Sequence, residues 1–101
     1  MFVHIVLYWM RTEATETDRK RLIEDSATYL GKVPSVRHVW AGRPARTPRE
    51  VVDNTYDVAV TVMLDDRAGY SVYHDHPLHL DFIQRNRRMW RRVRVYDYVT
   101  S

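Results

Sequence analysis

The sequence predicts an α+β fold of order β-α-β-β-α-β, with a broken second helix and a four-stranded antiparallel sheet. Three observations predict it. Apolar and β-branched runs lie at both ends and in the middle of the chain. A capped helical stretch separates the first two runs. A second helical stretch, interrupted by His76-Pro77, precedes the last.

Phe2 to Met10 reads as the first strand. Both alternating sets are apolar: Val3, Ile5, Leu7 and Trp9 on one face, and Phe2, His4, Val6, Tyr8 and Met10 on the other. A strand buried on one side alternates with polar residues, so this one is expected to be covered on both sides. His4 and Tyr8 are polar handles on one face. Thr15 to Leu30 reads as a helix. Thr15 and Asp18 fit a capping box, with Asp for the usual Glu. Leu22, Ile23, Ser26, Ala27 and Leu30 form its stripe, with Gly31 as the expected C′ residue and Pro34 beyond it.

Val36 to Gly42 reads as the second strand, with Val36, His38 and Trp40 on one face. Arg43 to Thr55 is a loop in which Thr47-Pro48-Arg49-Glu50 can open a helical turn. Tyr56 to Leu64 is the third strand, with Tyr56, Val58, Val60, Val62 and Leu64 on one face. Asp65-Asp66 caps a short helix running to about Tyr73. The residue before a proline is pushed out of the α region, so His76 ends that helix and Pro77 opens the next. Val93 to Val99 is the last strand.

This order is that of the split βαβ, or ferredoxin-like, pattern, in which helices cover one sheet face only. The other face would carry Trp, Tyr, His and Val. A second copy of the chain is its simplest cover, which predicts a homodimer.

Composition narrows the function. The 101 residues make one expected domain, spanning 1–101, with no internal repeat. Hydrophobic residues are 45% of the chain and aromatic ones 12%, a large apolar load for so short a chain. No window suits a membrane span. The apolar start lacks the basic flank and cleavage site of a signal peptide, so a cytoplasmic location is expected. No cysteine is present, which excludes disulfides, thiolate metal sites and a cysteine nucleophile. The net charge of +3 comes from Arg85, Arg87, Arg88, Arg91, Arg92 and Arg94, with no acid among them. A solvated helix face explains them most simply. A phosphate or nucleic-acid footprint, and an anionic substrate or partner, are sharper alternatives. The third strand lacks the glycine and phenylalanine of an RNA-recognition sheet, so no nucleic-acid partner is expected.

The densest chemistry is Tyr73-His74-Asp75-His76-Pro77-Leu78-His79. Three imidazoles in six positions suit a metal, but His-x-His-x-x-His is not a diagnostic spacing, and no metal is expected. They also suit acid–base work near neutral pH, with a tyrosine to polarise a carbonyl oxygen and Asp97 to fix an imidazole tautomer. The structural alternative is that these histidines cap helices or bond backbone carbonyls. His38 is expected to be structural, and His4 is either a buried handle or a pocket residue.

Several short motifs now resemble one family, the stress-responsive dimeric A/B barrel (Dabb) proteins. They are Val3-His4-Ile5-Val6-Leu7, Gly42, Tyr56-Asp57-Val58-Ala59, the Tyr73–His79 stretch (as Y-x-x-H-P-x-H) and Val95-Tyr96-Asp97-Tyr98. The resemblance covers almost the whole chain. It implies a ferredoxin-like monomer and a homodimer whose two sheets enclose an apolar cavity. Many members have no assigned activity. A plant branch are polyketide cyclases that close a ring by an aldol-type step with a Tyr and a His. Those positions correspond to Tyr73 and His79, and the family's strand-one His to His4. Val58 stands where that branch has a further pocket His.

The resulting expectation is a cofactor-independent enzyme for a small aromatic or polyketide-like compound. His79 is the base, oriented by Asp97. Tyr73 bonds the carbonyl oxygen, and His4, Tyr8, Trp40, His76 and Phe82 line the pocket. A non-catalytic stress-responsive ligand-binding protein is one alternative. A cofactor-free monooxygenase of the related barrels is another.

Overall fold

A computed structural model describes all 101 residues. Four strands form one antiparallel sheet: β1 (Phe2–Met10), β2 (Val36–Gly42), β3 (Val58–Leu64) and β4 (Trp90–Val99). Their order across the sheet is β2-β3-β1-β4. Three helices, α1 (Glu16–Thr28), α2 (Arg67–Asp75) and α3 (Pro77–Asn86), cover one face. The predicted ferredoxin-like α+β architecture is the observed one. No helix is long and apolar enough to cross a membrane.

The core lies between sheet and helices. Phe2, Val6, Tyr8 and Met10 of β1 join Val58, Val60, Val62 and Leu64 of β3 against Leu22, Leu30, Tyr73 and Phe82. Alternation assigns the odd residues of β1 to the helix-free face. There Val3 pairs with Tyr98, Ile5 with Tyr96, Leu7 with Arg94 and Trp9 with Arg92. Trp9 is buried within the chain itself. Arg92 lies over its ring at 4.6 Å, and its indole N–H donates to Thr55 at 2.9 Å. Trp40, Tyr96 and Tyr98 are 52%, 54% and 54% exposed. The helix-free face is therefore apolar and only partly covered.

Several local expectations change. A bulge between Val36 and His38 switches faces: Val36 pairs with Leu64 and packs on the core, while the His38 and Trp40 rings lie 4.0 Å apart, tilted, on the helix-free face. The third strand starts at Val58 because the Asp57 carboxylate, not a strand carbonyl, accepts the Met10 amide at 2.7 Å. Tyr56 leaves the strand face and meets the edge of Trp9 instead. Gly31 is not a left-handed cap. It lies in a 3₁₀ turn, Leu30–Lys32, that buries Leu30. Its missing Cβ leaves room for Val39, whose Cγ1 would stand 3.3 Å from an added carbon. The turn predicted at Thr47–Glu50 does not become a helix.

The stripe of α1 holds a surprise. Its buried residues are Leu22, Asp25 and Ser26, and Ala27 is exposed. Asp25 Oδ2 accepts from Arg85 Nε at 2.8 Å and from Asn86 Nδ2 at 3.0 Å, which ties α1 to the end of α3. The arginine segment is thus no single solvated helix face. Arg85 pairs with this buried acid, Arg92 covers Trp9 and Arg94 lies over Tyr96 at 6.0 Å. Asp25→Ala removes the acceptor of Arg85 and one of the two acceptors of Asn86, whose amide still donates to the Phe82 carbonyl. It is expected to lower the unfolding free energy by about 2 kcal/mol, read from urea midpoints at neutral pH. A change below about 0.5 kcal/mol, the scale of an exposed pair, would contradict that reading.

Candidate functional site

The site begins at the break between α2 and α3. Pro77 has no amide hydrogen and cannot continue α2. His76 is extended (φ −68°, ψ 138°) and serves both helices, ending α2 and capping α3. Its Nδ1 accepts from the Leu78 amide at 3.1 Å. The two helices then carry their side chains onto β1 and β4 from different directions.

A cavity of about 220 Å³ opens between them. Its floor is His4, Val6 and Tyr8 of β1, and its sides are Val93 and Val95 of β4. Tyr70, Tyr73 and His74 of α2, His79 and Ile83 of α3, and Trp90 complete its lining. Larger depressions exist elsewhere. One of about 420 Å³, lined by Arg19, Arg43, Arg46 and Tyr56, is polar, and Glu16 already occupies the Arg43 fork there. The smaller cavity is the one that gathers titratable groups inside apolar walls, the usual build of a small-molecule site.

Each histidine in it is held by a different partner. His79 Nδ1 lies 2.9 Å from the His74 carbonyl. A carbonyl only accepts, so Nδ1 carries the hydrogen and Nε2 keeps the lone pair. The His79 ring lies 4.5 Å from that of Tyr73. Burial holds the His79 imidazole below its ordinary pKa, the bond to His74 opposes this, and the neighbouring His74 and His4 lower it further. His4 Nδ1 contacts Asp97 Oδ1 at 2.6 Å across the β1–β4 pairing. His4 is 6% exposed and Tyr73 2%. Burial pushes the Tyr73 phenol up, helped by Tyr70 and Asp97. Burial does the same to Tyr8, with a smaller contribution from Tyr73. Both phenols therefore stay protonated near neutral pH and are hydrogen-bond donors.

The residues singled out in the sequence divide accordingly. Tyr73, His79, His4 and Tyr8 meet in the cavity. Asp97 is close by, but it holds His4, not His79; a backbone carbonyl orients His79 instead. His76 does not line the cavity, because its ring caps α3. Trp40 lies on the opposite sheet face. Phe82 is buried in the core behind Tyr8 and Trp90. His74, the third histidine of the cluster, pairs with Asp75 at 3.0 Å. The His74 and His79 rings lie 6.0 Å apart while His76 caps α3, and no three His, Asp or Glu side chains converge as a metal would require. Val58, at the position of the cyclase branch's further histidine, is fully buried in the core. Tyr70 was not foreseen, although it shares a helix face with Tyr73 and His74 at i, i+3 and i+4. Val93 and Val95 were readable from their alternation with Asp97.

The family model of the stress responsive A/B barrel domain (Dabb) matches residues 2–100. The chain belongs to the Dabb family. Solved structures extend the likeness over nearly the whole length. A Dabb protein of ferredoxin-like fold from Mesorhizobium loti is 24% identical, with a TM-score of 0.79 over 99% of this chain and 96% of that one. A dimeric ferredoxin-like protein from Thermobifida fusca is 20% identical, with a TM-score of 0.83 over 98% and 90%. The hydroxynitrile lyase of Passiflora edulis is 15% identical, with a TM-score of 0.85 over 99% and 93%. A search of the curated proteins found no match. At these identities the likeness establishes the fold, and the chemistry rests on the cavity.

The depressed His79 pKa has a consequence for this Dabb domain. Between its folded value and the unfolded value of about 6.5, the folded chain binds fewer protons than the unfolded one. Stability therefore rises with pH through that window and falls on acidification. Urea unfolding of wild type and His79→Gln at pH 7.5 and pH 5 checks this. Acidification should cost the wild type more, and equal losses would count against a depressed value.

Proposed function

We propose that this Dabb protein is a cofactor-independent acid–base enzyme acting on a small aromatic or polyketide-like carbonyl compound. The observation that carries the reading is a neutral imidazole with a free Nε2 beside a buried, protonated tyrosine in one apolar cavity. At about 220 Å³ the cavity suits a single ring with short substituents. His79 Nε2 takes a proton from the carbon next to the carbonyl. The C–H electron pair moves into the new C=C bond, and the carbonyl π pair moves onto oxygen. The Tyr73 hydroxyl donates a hydrogen bond to that developing oxyanion. Asp97 fixes His4 in the tautomer that leaves Nε2 as the free nitrogen.

The first half of this chemistry can be tested without knowing the natural substrate. Deuterium exchange at the α-carbon of 1-phenylbutane-1,3-dione in D2O, followed by NMR, reads proton abstraction directly. The wild type should accelerate exchange, and His79→Gln should lose about 100-fold or more of that acceleration. Tyr73→Phe should lose about tenfold or more. Probe binding without accelerated exchange would favour the non-catalytic ligand-binding alternative.

We further propose that the helix-free face meets a second copy of the chain. The exposed Trp40, Tyr96 and Tyr98 support this, as does the dimeric state of the Thermobifida fusca neighbour. Sedimentation should give twice 12.1 kDa. The double variant Trp40→Arg/Tyr96→Arg should sediment as the monomer. A wild-type monomer at micromolar concentration would refute the dimer.

A further inference from the structure

A second cavity, about 390 Å³, adjoins the first and shares Tyr70 with it. Phe2, Arg67, Asp97, Tyr98 and Val99 complete its lining. The His4–Asp97 pair runs between the two spaces: His4 lines the first and Asp97 the second. The Tyr70 ring is the partition, stacked on Phe2 at 4.8 Å and lying 5.4 Å from His4.

The two spaces differ in charge. No arginine or lysine lines the reacting cavity. The second holds the Arg67 guanidinium, which lies over the Phe2 ring at 5.6 Å and has no ion-pair partner. None of the neighbouring acids pairs with it, and each bonds another group. Asp97 bonds His4, Asp66 caps α2 through the Gly69 amide, and Asp65 pairs with Arg37. A free guanidinium at the mouth of an aromatic-walled space is suited to a carboxylate, which it can grip with two parallel N–H bonds.

We propose that the substrate is an elongated carboxylic acid. Its neutral ring enters the His4/Tyr73/His79 cavity, and its carboxylate passes Tyr70 to reach Arg67. This rests on the function proposed above and adds the substrate's charge and polarity. Two probes of equal length separate the claims: 4-phenylbutyrate and its uncharged amide, titrated calorimetrically and by NMR. The acid should bind wild type about tenfold or more tightly than the amide. Arg67→Gln should abolish that difference, and Arg67→Lys should retain part of it. Arg67 is exposed on α2, so both variants keep the core. Amide binding that perturbs the His79 ring, with no preference for the acid, would overturn this proposal and leave the acid–base reading standing. A preference that survives in Arg67→Gln would also overturn it. Failure of both probes to bind would remove both readings.

Discussion

The break at His76-Pro77 is the constraint on which the site depends. In an unbroken helix the His74 carbonyl would accept from the Leu78 amide. Here Leu78 donates to His76 Nδ1, and His74 is left with a free carbonyl. His79, one turn into the next helix, donates to it. One missing backbone hydrogen bond thus becomes the bond that fixes a catalytic candidate's tautomer. The same break swings Ile83 and His79 over the cavity while Tyr70 and Tyr73 remain on the preceding helix. A continuous helix of the same residues could not place Tyr73 and His79 ring to ring, because positions six apart lie on different faces.

Electrostatics then separates groups of like chemistry. His79 has a neutral carbonyl as partner, and burial favours its uncharged form. His4 has a carboxylate as partner, on a strand that is exposed along its edge. Two imidazoles facing one cavity are therefore held by different partners, one by a backbone carbonyl and the other by a carboxylate. The tyrosines follow the same logic. Burial works against the phenolate, so Tyr73 and Tyr8 keep their hydrogens. A low-dielectric wall strengthens any hydrogen bond they give to a developing oxyanion.

Much of this was legible in the sequence, for physical reasons. Strand alternation, the Thr15–Asp18 box and the proline break are local, and each follows from backbone geometry within a few residues. The gathering of Tyr73 and His79 followed from their sequence proximity and from the family's motifs. What was not legible depends on partners distant in the chain. Asp97 is as far from His79 in sequence as the strand order demands, and only the β1–β4 register shows that it faces His4. Asp25 sits in what reads as a polar position of α1 and is buried only because Arg85 and Asn86 arrive from α3. Trp40 was placed with the pocket because an aromatic on a strand has two possible faces. One bulge residue decided between them.

β1 ties these parts together, because it serves both faces of the sheet. Its even residues face the helices, and among them His4, Val6 and Tyr8 line the cavity; its odd residues face the open side. A slip of one position would exchange the two sets. Hydrophobicity alone resists such a slip weakly, since both sets are apolar. The discriminating contacts are polar: His4 with Asp97 near one end of the strand, and the Met10 amide with Asp57 at the other. Each is satisfied in only one register. The pair that orders the candidate site is therefore also a pin of the fold. Substituting Asp97 perturbs both, so loss of chemistry in such a variant has to be weighed against its unfolding midpoint before the carboxylate is assigned a chemical role.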